Sequence, residues 1–175
     1  MPNVAGMMER ISDQFSANTL LQNPVVDIAR KQMGQIGEIN ATELSHLKDL
    51  VLAQLKDSSA LDAAIMSYMS EPKYPDNIPE ADEIEADDLK EILHEGYEVL
   101  LEPASRLLYT EQNGTLNFWG NGEVLFIAEP FVQKLKAIAN GESLPFDSQF
   151  NDDETLENVA HLLNESILML LPPAE

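Results

Sequence analysis

Apolar residues in the first part of the chain recur every three or four positions, which is the spacing of one face of an α-helix. This pattern predicts a helix within residues 1–20 and three more that begin near residues 24, 41 and 59. Asn23-Pro24 and the capping-box pair Asn40 and Glu43 mark two of the helix starts. The clearest apolar stripes are Leu44, Leu47, Val51 and Leu55, and Leu61, Ala64, Ile65, Tyr68 and Met69. Residues 1–70 are therefore predicted to form a small helical bundle.

These apolar faces are too wide to be buried entirely by the packing of three short helices against one another. Leu50, Leu52, Ala53 and Met66 extend them around the helices. A helix that is apolar on more than one face is buried on more than one side. We therefore expect residues 20–70 to form a homodimer, with an interface that comprises Leu44, Leu47, Val51, Leu55, Ile65 and Tyr68. The alternative is a monomer in which the second face packs against the later domain.

The segment that follows has no hydrophobic periodicity. From Ser70 to Asp82 it contains three prolines and several acidic residues. Such a composition is typical of a linker, which we place at residues 71–84.

The remaining residues, 85–175, combine helical stripes with short runs rich in β-branched and aromatic residues. A helix is expected to start at Asp87-Asp88, and an antiparallel meander of three or four strands to occupy residues 96–127. Asn113-Gly114 between apolar runs is a strong hairpin signal, because a type I′ turn needs positive φ at both central residues. Two further helices, one that opens at Pro130 and one that is capped by Asp152 or Asp153, precede a last strand at residues 167–171. This order predicts an α+β, winged-helix-like domain with a small antiparallel sheet.

The charge of the chain limits its partners. There are 31 acidic residues against 10 Lys and Arg, a formal net charge of -21, and no Lys or Arg follows Lys136. Such a surface repels nucleic-acid phosphates and anionic membranes, whereas it attracts basic proteins or peptides. The alternative is a solvated acidic surface without a partner. The absence of cysteine, of a basic leader and of a membrane-spanning apolar run predicts a soluble cytoplasmic chain.

Residues that could form a reaction centre are scarce. His46, His94 and His161 lack the spacing of a metal site, and nucleotide-binding and hydrolase motifs are absent. We therefore predict no catalytic residue, no cofactor and no metal. Arg106 and Trp119 stand out as a cation within a strand-like segment and as the single tryptophan. Arg106 is expected to pair with a carboxylate and Trp119 to lie in the core or cap the sheet, with partner binding as the alternative role for Arg106, Tyr109 and Trp119.

Several segments resemble, in order, the C-terminal part of the bacterial ribosomal-protein hydroxylases. They read LKEILHEG, VLLEPASRLLY, NFWGNGE, IANGESL and LLNESIL. That family consists of cupin-fold, JmjC-type oxygenases that hydroxylate an arginine of a large-subunit ribosomal protein. The resemblance implies a dimerisation region followed by a winged-helix domain. The iron-binding residues belong to a cupin domain that this chain lacks, so none is carried over, and the chain is either a fragment of an oxygenase or a stand-alone accessory module.

Three functions follow from these observations. The leading hypothesis is a non-catalytic module that dimerises and presents an acidic surface to a basic ribosomal protein. The second is a peptide-binding adaptor, because GYEVLLEPASRLLY also resembles winged helices that add a leader peptide as a strand to the sheet edge. The third is a winged-helix DNA-binding regulator, which the net charge disfavours.

Overall fold

The computed structural model describes residues 3–16, 41–56, 59–81 and 83–173. The helix predicted to begin near residue 24 lies outside these residues. The described residues divide into two compact units, one that ends at Ile65 and one that begins at Met66.

The described part before Met66 is helical. Helix α1 is Val4–Ser16, α2 is Ala41–Lys56, and α3 is Ser59–Ser70, which continues into the second unit. These starts agree with the predicted ones. Asn3 caps α1, because its side-chain oxygen accepts a hydrogen bond of 2.9 Å from the backbone N–H of Gly6.

The second unit alternates short helices and strands. A 3₁₀ turn at Pro75–Asn77 lies within the predicted linker. The elements that follow are α4 (Ala86–Ile92), β1 (Glu98–Leu101), β2 (Leu107–Gln112), β3 (Thr115–Gly120), β4 (Glu123–Leu125), α5 (Glu129–Ala139), β5 (Leu144–Pro145), a 3₁₀ turn (Ser148–Phe150), α6 (Asp153–Asn164) and β6 (Leu168–Leu171). The mixture of helices with small antiparallel sheets confirms the predicted α+β class.

The strands form two three-stranded sheets rather than one continuous meander. One sheet is the meander β2-β3-β4, and the other has the order β5-β1-β6. The sequence predicts three or four strands for the meander, and the structure has three. The four-strand alternative is wrong, because β1 pairs with the distant strands β5 and β6. The backbone N–H of Glu102 already donates to the carbonyl of Ile167 at 2.9 Å, where β1 leaves its sheet.

The Asn113-Gly114 turn has the predicted backbone conformation, and the turn at Asn121-Gly122 adopts the same one. Asn113 and Gly114 have φ values of 52° and 81°, and Asn121 and Gly122 have 49° and 95°. Two successive positive φ values are the mark of a type I′ turn, and asparagine followed by glycine tolerates them best. The two Asn-Gly pairs therefore set the lengths and registers of β2, β3 and β4.

The core of the second unit lies between helices α4, α5 and α6 and the two sheets. Fully buried side chains include Phe131, Leu135 and Ile138 of α5, and Leu156, Val159 and Leu162 of α6. Phe150 packs against Phe131 and Phe146, with ring centroids 6.1 and 5.2 Å apart. Burying one such side chain contributes about 1.5–3 kcal/mol, so this cluster stabilises the unit.

The C-terminal helix and strand are fixed by local chemistry. Asp152 caps α6 as the sequence predicts, since its carboxylate accepts a hydrogen bond of 3.0 Å from the N–H of Thr155. Beyond α6, Ile167 packs so closely on β3 that a Cβ at Gly120 would lie 2.6 Å from its Cδ1 atom. Glycine at position 120 therefore permits the close approach of β3 to the start of β6.

Candidate functional site

Arg106 lies beside the C-terminal end of α3. Its Nη1 atom donates a hydrogen bond of 3.1 Å to the backbone carbonyl of Met69. The last carbonyls of a helix lack partners within the helix and carry partial negative charge, so a guanidinium group there is stabilising. The sequence predicts a carboxylate partner for Arg106; among the described residues its guanidinium group contacts the end of α3 instead.

The same end of α3 also contacts the β3–β4 turn. The N–H of Gly122 donates to Ser70 Oγ at 3.2 Å, and Ser70 Oγ donates to the carbonyl of Ser67 at 3.0 Å. Ser67 Oγ in turn donates to the carbonyl of Gly122. Both backbone groups of one turn residue are thus hydrogen-bonded to the last turn of α3.

Asn121 connects this turn to the rest of the second unit. Its side-chain oxygen accepts a hydrogen bond of 3.0 Å from the N–H of Arg106, and its Nδ2 donates to Ser105 Oγ at 3.1 Å. The buried Ser105 hydroxyl donates to the carbonyl of Ser166 at 2.6 Å. The network therefore joins the meander to the connection between α6 and β6.

The predicted partner-binding residues do not form one patch. Tyr109 is opposite Phe118 and Trp119 is opposite Leu108, so their side chains project from opposite faces of the meander. Trp119 is 7% exposed, which agrees with its expected place in the core. Tyr109 is half-buried, and its hydroxyl lies 3.3 Å from Asn140 Oδ1. A partner-binding role for Arg106, Tyr109 and Trp119 stays a prediction.

The predicted dimer interface includes exposed apolar side chains on α2. Leu44 is 47% exposed and Val51 60%, and the adjacent Leu52 is 61% exposed. Ile65 and Tyr68 are half-buried. The side chains of Leu47 and Leu55 lie outside what the structure describes. An apolar surface on the middle of α2 is therefore present, whereas its role in dimerisation is a prediction.

Two lysines of the second unit, Lys90 and Lys136, form ion pairs at the surface. Lys90 contacts Asp153 and Asp87 at 2.9 and 3.0 Å, and Lys136 contacts Glu111 at 2.8 Å. The hydrogen bonds that Lys90 donates to Asp153 and, with a smaller effect, to Asp87 raise the pKa of Lys90, and the one that Lys136 donates to Glu111 raises the pKa of Lys136.

Neither a metal cluster nor a membrane span is found in the described residues. His46, His94 and His161 are all exposed. Within residues 3–16, 41–56, 59–81 and 83–173, no three His, Cys, Asp or Glu residues are grouped to hold a metal ion. Among the helices that the structure describes, none is long and apolar enough to cross a membrane.

A groove of about 540 Å³ lies between the predicted linker, the end of α6 and strand β6. Its apolar lining includes Ile84, Leu163, Leu168, Met169 and Leu170, and its acidic lining consists of Glu83, Asp88 and Glu102. The volume is within the range of about 300–1,000 Å³ that is usual for ligand pockets. We call it the β6 groove.

Two polar residues hold the linker wall of the β6 groove in place. Asn164 accepts a hydrogen bond of 2.9 Å from the N–H of Ile84, and its Nδ2 donates to the carbonyl of the same residue at 3.0 Å. Ser166 Oγ donates to the carbonyl of Pro79 at 2.7 Å. Sequence reasoning missed this groove, because an aperiodic segment rich in proline and acids gives no signal of where it attaches.

Several solved structures resemble this chain. The ribosomal oxygenase YcfD from Escherichia coli, in complex with cobalt and succinic acid, has a TM-score of 0.78 and 18% identity over 97% of this chain and 47% of that chain. Another structure of E. coli YcfD gives a TM-score of 0.77 and 18% identity over 98% and 46%. The chain thus spans about half the length of YcfD, and at this identity the likeness shows the fold alone.

No curated protein sequence matches the chain significantly. Residues 39–169 match the family described as ROXA-like winged helix. This match confirms the winged-helix domain that the order of elements predicts, and part of YcfD shares the fold of this chain. Because the match covers most of its length, the chain belongs to the ROXA-like winged helix family.

Proposed function

We propose that this chain is a non-catalytic module that joins two subunits through α2 and presents an acidic surface to a basic ribosomal protein. The observation that carries the proposal is the apolar surface on α2, where Leu44, Val51 and Leu52 are 47%, 60% and 61% exposed. Membership of the ROXA-like winged helix family and the likeness to a ribosomal oxygenase support the choice of partner.

A second copy of the chain is the occupant that best fits the α2 surface. Leu44 and Val51 are seven residues apart and lie on the same side of the helix, and Leu52 is beside them. Removing apolar surface from water contributes about 25 cal/mol per Å², so a few such side chains per subunit stabilise a dimer by several kcal/mol. The net charge of -21 opposes association, but salt screens charges beyond about 8 Å at physiological ionic strength.

The charge of the chain favours a basic protein over other macromolecules. A ligand that is itself anionic, such as a nucleic acid, gains nothing from a surface with 31 acidic residues and 10 basic ones. A ribosomal protein rich in Lys and Arg is attracted at long range, and its association is faster at low salt.

Three measurements on the purified chain test the proposal. Light scattering should give the mass of a dimer, and titration calorimetry with a purified basic large-subunit ribosomal protein should show binding that weakens as salt rises. Incubation with iron(II), 2-oxoglutarate and the same protein should give no hydroxylation. A monomer at high concentration would refute the dimer, equal affinity for an acidic control protein would refute the partner, and turnover would refute a non-catalytic role.

A further inference from the structure

Strand β6 pairs with β1 on one side only. No strand of the described residues pairs with its other side. Glu102 and Ile167 face each other and are joined by an N–H···O bond of 2.9 Å, so they form a hydrogen-bonded pair of the antiparallel ladder. Such pairs alternate with non-bonded pairs along the strands. The N–H and C=O groups of Leu168 and Leu170 therefore point away from β1, toward the open edge.

The β6 groove follows this open edge. Consecutive side chains of a strand project to opposite faces of a sheet, so Leu168 and Leu170 share one face and Met169 is on the other. All three line the groove. A groove lined from both faces of a strand runs along its edge. Leu168 is only 2% exposed, so the free backbone groups of β6 that are accessible from the groove are those of the half-buried Leu170.

The remaining walls of the β6 groove have a distinct chemistry. Ile84 and Leu163 supply apolar surface, and Glu83, Asp88 and Glu102 supply three carboxylates. No Lys or Arg lines the groove, and no ion pair within the described residues neutralises these three acids. The groove thus combines an unpaired strand edge, an apolar wall and uncompensated negative charge.

We propose that the β6 groove binds an extended segment of a basic protein, which adds to the sheet as a strand antiparallel or parallel to β6. The segment hydrogen-bonds to the backbone of Leu170 and places an apolar side chain against Ile84 and Leu163. Its Lys or Arg residues face the carboxylates of Glu83 and Glu102. Main-chain bonds supply affinity in strand addition, and the alternate side chains supply specificity. This inference rests on the proposed function, because it assigns a site to the basic partner.

The groove is organised before a ligand arrives. The hydrogen bonds of Asn164 to Ile84 and of Ser166 to Pro79 fix the linker wall opposite β6. A wall that is already ordered costs less conformational entropy on binding. The ordered linker wall therefore favours a ligand that binds as an extended strand over a flexible cationic segment held only by electrostatic attraction.

The test uses the full chain and a fluorescein-labelled octapeptide of alternating arginine and valine. Fluorescence anisotropy should show saturable binding, and the amide signal of Leu170 should shift in NMR spectra. The same peptide N-methylated at every backbone amide has the same charge but can donate no main-chain hydrogen bond to β6, so its affinity should fall at least tenfold. A peptide of alternating glutamate and valine should not bind.

Two variants test the groove itself. Glu83→Gln combined with Glu102→Gln should weaken octapeptide binding about fivefold, as expected for two partly exposed ion pairs. Glu142→Gln combined with Glu157→Gln changes the net charge equally at exposed sites outside the groove, and it should leave the affinity unchanged. Asp88 is kept, because its side chain accepts a bond from the N–H of Glu85 at the start of α4.

The outcomes separate this inference from the proposed function. Equal binding of the N-methylated peptide, equal weakening by both double variants, or no binding of the octapeptide at millimolar concentration overturns the groove site. If the basic ribosomal protein still binds in those cases, the partner proposal stands and its site is elsewhere. Competition between the octapeptide and the ribosomal protein, abolished by Leu170→Pro in a folded chain, supports the groove.

Discussion

The side-chain amide of Asn121 donates a hydrogen bond of 3.1 Å to the hydroxyl of Ser105, which lies 16 positions earlier in the chain. Because Ser105 itself donates to the carbonyl of Ser166, this contact joins the β3–β4 turn to the connection between α6 and β6. One asparagine thus serves two purposes: its backbone adopts the positive φ of the turn, and its side chain links two sheets.

Asn121→Gly should separate these two purposes. Glycine keeps the positive φ but removes the bonds to Ser105 and to the N–H of Arg106, so we expect a loss of about 1–3 kcal/mol in the free energy of unfolding. Asn113→Gly is the matched control, since Asn113 occupies the same position in the other type I′ turn and is exposed. It should change stability by only a few tenths of a kcal/mol. Urea unfolding measures both, and equal losses would contradict a linking role for Asn121.

Gly120→Ala should destabilise the second unit mainly through a steric contact with Ile167, with a weaker one to Leu125. The new Cβ would lie 2.6 Å from Cδ1 of Ile167, and overpacking of this kind costs about 1–3 kcal/mol. Ile167→Val removes that methyl group and alone should cost about 0.5–1.5 kcal/mol. The double variant should therefore be more stable than the sum of the two losses predicts. If the losses of the two single variants simply add up in thermal unfolding of the double variant, the Cδ1 methyl group of Ile167 is not what excludes alanine at position 120.

Val51→Asp should convert the proposed dimer to monomers without unfolding α2. A carboxylate at a position that is 60% exposed in the single chain costs little in the monomer but would be desolvated in the interface. His46→Asp, exposed on the opposite side of α2, is the control and should leave the dimer intact. Light scattering gives the mass, and circular dichroism reports the helix content. A dimeric Val51→Asp variant would place the interface elsewhere.

The ion pairs of Lys90 should make stability depend on alkaline pH. Hydrogen bonds to Asp153 and Asp87 raise its pKa in the folded state above the ordinary value of 10.5. The stabilisation is therefore complete below the unfolded pKa and is lost as pH rises through the folded pKa. Lys90→Met should remove this part of the decline in unfolding free energy above about pH 10.

Lys134→Met is the control for that titration, because the Lys134 ammonium donates to the backbone carbonyl of Pro130 rather than to a carboxylate. Both variants remove one positive charge from the surface of the second unit. Urea unfolding across the alkaline range should give different slopes for the two variants. Identical slopes would mean that the Lys90 contacts do not persist in solution.

Features encoded by neighbouring residues could be predicted from the sequence. The Asn113-Gly114 turn, the Asp152 cap and the last strand each depend on residues within a few positions of one another. The assignment of β1 to a different sheet from β2 could not be predicted, because it depends on pairing with β5 and β6, which are more than forty residues later in the sequence.

The candidate site was less accessible to sequence reasoning than the fold. Arg106 stands out in the sequence as a cation within a strand-like segment. Its partner is a backbone carbonyl, and every residue has one, so the sequence does not indicate which carbonyl Arg106 contacts. The β6 groove depends on two hydrogen-bonding side chains, Asn164 and Ser166, whose partners lie 80 and 87 positions away. No local pattern distinguishes them from ordinary polar residues at a helix end.

The attachment of the segment between α3 and α4 has a topological consequence. Ser70 is bonded to Gly122, and Pro79 is bonded to Ser166, so both ends of the intervening stretch are anchored to the same unit. The stretch is therefore a closed loop rather than a free tether, and lengthening it should cost only about 0.6 kcal/mol per doubling of its length. A protease that cuts after the exposed Lys73 would nick this loop while the last turn of α3 stays bound to the β3–β4 turn.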